Sequence, residues 1–151
     1  MRYLLVDRVI EVKEGERIRG IKNIAMSEDF LEYHFPRNPV MPGMLLLEAL
    51  VQLTGWLEAA SSDFKNWFLL STVRSSRFYG FSLPGDQVDL AVEVSPRAAI
   101  GARIYTGTAQ VGGKKKALAE FEGKIIPFDE IEDIESQRQF FSVLTRDGYE
   151  Q

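Results

Sequence analysis

From Met44 to Ala60 the chain is apolar on nearly every side of a helix, and Pro42 and Gly43 stand directly ahead of it. Proline suits a first helical turn because it lacks only an N–H that would have no partner there. A helix that is apolar all round cannot lie on a surface, so the rest of the chain must wrap it. At 17 residues it would be roughly 25 Å long. Glu48 and Gln52 interrupt the run, and a carboxylate near its centre argues against a membrane span.

What wraps the helix reads as β-structure. Residues 4 to 13 and 16 to 26 read as two strands joined by a turn at Glu14-Gly15. Residues 27 to 43 hold Pro36, Pro39 and Pro42 and read as a loop, with room for a short helical turn near 27 to 32. After the helix, Trp67 to Val73 and Arg77 to Leu83 read as two short strands, followed by a Pro84-Gly85-Asp86 turn. Val88, Leu90, Val92 and Val94 alternate strictly with more polar positions, as a half-buried strand does. Ile100, Ala102 and Ile104 open a strand that continues to Val111, and Gly112-Gly113 reads as a two-residue hairpin loop into Ala117, Ala119, Phe121 and Ile125. Ile131, Ile134, Phe140, Phe141 and Leu144 give an amphipathic helix over 129 to 144. The expectation is an α+β fold: an antiparallel sheet of about six strands around one long buried helix. Residues 1 to 127 form this domain, and 128 to 151 form an acidic tail, helical and packed on it.

Composition closes several routes. The 151 residues include no cysteine and a single histidine, His34, which excludes disulfides, thiolate nucleophiles and multi-histidine metal sites. The net charge of -4 argues against a general nucleic-acid binder. The acidity is concentrated after Pro127, where seven acidic residues face two basic ones, so the body is close to neutral and free to carry a local basic patch. Asp7 and Arg8 stand where a signal peptide would stay apolar, so a cytoplasmic protein is expected.

Two polar side chains inside the apolar helix are the first candidates for chemistry. Glu48 and Gln52 are four residues apart and share a face, which Gly55 extends. A carboxylate buried there needs a partner or its proton, and a retained proton would suit a general acid. It reads equally as a partnered structural glutamate. His34 lies in the stiff proline loop that feeds this helix. By itself a lone histidine is more often an ordinary polar residue than a base. Gly43, at the helix start, offers an N–H with no helical acceptor, able to hold a developing negative oxygen or simply to ease a turn.

The run from His34-Phe35-Pro36 through Pro39, Pro42-Gly43 and Glu48 to Gln52 resembles the signature of the hot-dog-fold 3-hydroxyacyl-[acyl-carrier-protein] dehydratases. Leu4 to Val9 is similar to that family's early strand, and Phe78 with Leu83 to Gln87 to its later strand and turn. The resemblance implies that His34 and Glu48 are the catalytic pair, that Gly43 binds the thioester carbonyl and that Gln52 positions the acid. It implies a homodimer or larger homo-oligomer, with His34 of one protomer meeting Glu48 of the other across the interface. It implies no metal or redox cofactor, the acyl group arriving on the phosphopantetheine of acyl carrier protein.

The chain departs from the pattern in places, as a divergent member would. Arg37 replaces a usual glycine, Tyr79 and Gly80 replace usual basic residues, the segment usually preceding Leu4 is missing, and the acidic tail is additional. If Arg37 needs a positive φ, the backbone is strained there. Glu48 stands where the dehydratase-isomerase branch has aspartate, which favours plain dehydration. Arg74, Arg77, Arg97 and Lys114 to Lys116 are candidates for a patch that meets an acidic carrier protein. A hot-dog thioesterase and a non-catalytic acyl-binding partner subunit are the competing readings.

Overall fold

The computed structural model describes residues 3–97 and 102–147. The helix expected after Pro42 is α1, Gly43–Ser61, with Pro42 at its N-cap. Six strands surround it: β1 Arg8–Lys13, β2 Arg17–Asn23, β3 Asn66–Phe78, β4 Gln87–Val94, β5 Arg103–Val111 and β6 Lys114–Pro127. They form one sheet in the order β1-β2-β4-β5-β6-β3, every neighbouring pair antiparallel. Leu46, Leu50, Leu53 and Leu57 of α1 are buried in a core shared with Ile18 (β2), Phe68 (β3), Val88, Leu90 and Val92 (β4), Tyr105 (β5) and Phe121 (β6). The alternation read in 88 to 94 is thus the inward face of β4.

The Gly112-Gly113 loop joins Val111 to Lys114 with both glycines at positive φ, the geometry a two-residue hairpin turn demands. A short 3-10 turn, Asp29–Leu31, lies where a helical turn was expected. β1 and β2 are shorter than the runs 4 to 13 and 16 to 26, although just beyond them Asp7 N–H still donates to the Ile21 carbonyl at 2.8 Å and Ile24 N–H to the Asp86 carbonyl at 2.9 Å. Ile100, expected to open β5, lies outside the described residues.

One element differs in kind. The expected pair of short strands at 67 to 73 and 77 to 83 is a single 13-residue strand, β3, and 79 to 86 is loop. Its register against β6 slips between Leu70 and Thr72 and again between Val73 and Ser75. Each slip breaks the two-residue period. β3 is also a sheet edge, with Leu69, Leu70, Val73 and Phe78 exposed.

After β6 a 3-10 turn, Phe128–Glu130, leads to α2, Ile134–Thr145. The Asp133 carboxylate caps α2 by accepting from Ser136 N–H at 2.9 Å. Phe140 and Phe141 pack on Trp56 of α1, with ring centroids 5.8 and 5.4 Å away, and Arg138 donates to Asp63 at 2.8 Å. No helix among the described residues is long and apolar enough to cross a membrane.

Candidate active site

The loop before α1 is built around one residue. Val40 N–H donates to the His34 carbonyl at 2.8 Å, and the Val40 carbonyl lies 2.9 Å from His34 Nδ1. A carbonyl can only accept, so Nδ1 carries the hydrogen and, in the neutral ring, Nε2 keeps the lone pair. The ring stacks on Phe35, centroids 4.3 Å apart. Phe35 and Asn38 exchange backbone hydrogen bonds of 3.0 and 3.2 Å, and Met41 N–H ties the loop's end to Ser82. Arg37 takes no positive φ, so the strain considered for it is absent; its side chain is exposed.

His34 and Gly43 line one open cleft of about 490 Å³, together with Met41, Met44, Phe78 and Phe81. Gly43 N–H has no acceptor among the described residues. A Cβ on Gly43 would stand 2.8 Å from the Phe78 ring, so glycine is needed for this helix end to pack against β3.

Glu48 and Gln52 come together on α1, as their spacing requires. Gln52 Nε2 donates to Glu48 Oε1 at 3.0 Å and to the Tyr3 carbonyl at 2.9 Å. Gln52 Oε1 accepts from Leu5 N–H at 3.0 Å. That backbone donor fixes which way the amide faces, so its NH2 is turned on the carboxylate. Glu48 is half-buried, and Oε2 has no partner among the described residues. Glu48 does not line the His34 cleft. Within one protomer the four residues therefore form two pairs, His34 with Gly43 and Glu48 with Gln52.

The structure adds a residue the sequence reading missed. Glu58, on the same helix, is only 3% exposed. Arg103 donates to both its oxygens at 2.7 Å and the Tyr105 hydroxyl donates at 2.7 Å. Burial and, after it, that bond to Glu58 push the Tyr105 hydroxyl far above its ordinary pKa. Tyr3 and Leu5 were missed as partners of Gln52, because they act through backbone atoms that leave no mark in residue identity.

Of the basic candidates, Arg74 is held by Glu122 at 2.9 Å, while Arg77 and Arg97 are exposed. Lys115 Nζ sits 5.7 Å from the centre of the Tyr79 ring, and Tyr79 N–H donates to the Lys116 carbonyl. Since Tyr79 and Gly80 also line the His34 cleft, this lysine run stands at its rim.

A FabA-like domain matches residues 1–121. The chain is 41% identical over 119 residues to a 3-hydroxyacyl-[acyl-carrier-protein] dehydratase FabZ from Caldanaerobacter subterraneus subsp. tengcongensis, covering 78% of this chain and 84% of that protein. It is also 41% identical over 114 residues to the FabZ of Haemophilus influenzae, covering 74% and 76%. Among solved structures, a hot-dog-like protein from Thermanaerovibrio acidaminovorans superposes with a TM-score of 0.63 at 16% identity, over 92% of this chain and 96% of that one. The sheet order, the buried helix and the matched residues agree: the fold is a hot dog, and this chain belongs to the FabA-like family.

Proposed function

We infer that this protein is a hydro-lyase that removes water from 3-hydroxyacyl-[acyl-carrier-protein] thioesters and leaves trans-2-enoyl thioesters. The observation that carries this reading is the cleft shared by an imidazole and a helix-start N–H, the second ring nitrogen and that N–H both without a partner among the described residues. His34 Nε2 takes the proton from carbon 2, and the electrons move onto the thioester oxygen, held by Gly43 N–H at the positive end of α1. As that charge returns, carbon 3 loses its hydroxyl. Glu48, or a water it holds, supplies the proton that turns it into water. Gln52 keeps the carboxylate aimed. No metal or redox cofactor enters this scheme; the acyl group rides on phosphopantetheine.

Glu48 reaches the substrate from a second copy of the chain. β3 supports this, as a long edge strand with exposed Leu69, Leu70 and Val73 is a surface that proteins cover. The working unit is then a homodimer or a larger homo-oligomer. Acyl carrier protein docks at the rim marked by Lys114 to Lys116, its acidity matching their charge, with the exposed Arg77 of β3 a further candidate contact. The catalytic domain spans 1 to 127, with 128 to 151 as an appended segment, and the location is cytoplasmic.

The wild-type protein should hydrate a trans-2-enoyl thioester in the reverse direction. His34→Ala and Glu48→Gln should each be inactive, and refolding the two variants together should restore activity, because a mixed dimer holds one site with both groups intact. Inactive mixed dimers would sink the shared site. Thiol release that survives His34→Ala would point to a thioesterase instead.

A further inference from the structure

Although the core wraps α1, one face of the helix is only partly covered, with Gln52 on it held by Tyr3 and Leu5. Met44 is exposed, and Leu45, Glu48, Val51 and Gln52 are half-buried. That face ends at Gly55, which is buried. What covers it is Trp67 of β3: a Cβ at position 55 would overlap the six-membered ring of the indole. The glycine lets the ring lie flush on the helix. The indole is fixed from two further sides, edge-on to Trp56 at 5.2 Å and stacked on Phe128 at 4.7 Å. Gln52, Trp56, Trp67, Phe128, Ile131 and Phe140 enclose much of a cavity of about 170 Å³. Phe128, Ile131 and Phe140 lie beyond the matched residues 1–121.

The geometry points to a role for this arrangement that rests on the dehydratase reading: Trp67 is the stop that sets how long an acyl chain the site accepts. From Glu48 to Gly55 is seven residues, about 10 Å along the helix. An acyl tail leaving the reacting carbons along the partly covered face, past Val51, gains apolar contact over that distance and then meets the indole. Up to the stop, each added methylene should improve binding about fourfold. Beyond it, a further methylene has to displace a ring held by two aromatic neighbours. The adjoining cavity is space that a smaller residue at 67 would open to the tail.

The test is a series of pantetheine-linked trans-2-enoyl thioesters of rising length, assayed with full-length wild type, Trp67→Leu and Trp67→Phe. Wild-type kcat/KM should climb with length and then collapse. Trp67→Leu should move the collapse to longer chains and raise the long-to-short preference at least tenfold; Trp67→Phe should move it less, in the same direction. A second arm measures binding of the corresponding saturated acyl-pantetheines to the same proteins by calorimetry, a readout that needs no turnover. Folded variants whose length limit stays put in both arms, or that lose rate equally at every length, overturn the stop and leave the dehydratase reading standing. A limit that shifts in binding while wild type turns over nothing keeps the stop and removes the dehydratase. Neither binding nor turnover removes both.

Discussion

Helix α1 carries two carboxylates, ten residues apart, and they live in opposite circumstances. Glu58 is almost wholly buried and fully compensated, with a guanidinium on both oxygens and a tyrosine hydroxyl as well. Glu48 is half-buried, and among the described residues its one partner is a neutral amide and one oxygen is free. Burial alone therefore does not single out the candidate acid. A carboxylate that has spent its lone pairs on its own protein is structural, and one left with an open oxygen beside a partly covered helix face can serve a substrate.

The contrast can be broken most sharply at Glu48. Glu48→Gln should cut enoyl hydration about a thousand-fold, the scale of losing a positioned proton donor, while thermal unfolding stays close to wild type. Glu58→Ala should reverse the pattern. It strands Arg103 and Tyr105 and should cost about 3 kcal/mol in chemical denaturation, yet leave kcat per folded molecule nearly unchanged. If Glu58→Ala abolished turnover in stable protein, the division between the two acids would fail.

The smallest effect sharpens the Glu58 side. Tyr105→Phe should cost about 1 kcal/mol at neutral pH through one lost hydrogen bond. Its pH dependence is more telling. The folded protein holds the Tyr105 proton more tightly than an unfolded chain, whose tyrosine titrates near 10.0. That stabilisation is fully present below pH 10 and is lost as the pH climbs through the higher folded value. Denaturation midpoints should therefore fall more steeply above pH 10 in wild type than in Tyr105→Phe; equal slopes would contradict the buried hydroxyl.

Much of this layout was legible in the sequence, for definite reasons. Pro42, Gly43 and the apolar run fix α1, since no other element can hide so much hydrocarbon. The Glu48–Gln52 bond follows from a four-residue spacing on a helix. What stayed hidden was set by distant or backbone partners. Glu58 finds Arg103 forty-five residues away, on a strand whose register no local pattern states. The Nδ1 hydrogen of His34 depends on the direction of the Val40 carbonyl. β3 reads as two strands in the sequence because its slips against β6 disturb the alternation that reveals a strand, and because an edge exposed on both faces carries little inside-outside contrast.

The amide of Gln52 carries one further consequence. Its orientation comes from Tyr3 and Leu5, in the stretch leading into β1, so on the proposed reading that stretch holds the group that aims Glu48. On that reading a fusion partner, a tag or a docked protein that displaced Tyr3 and Leu5 would lower turnover without approaching a single reacting atom.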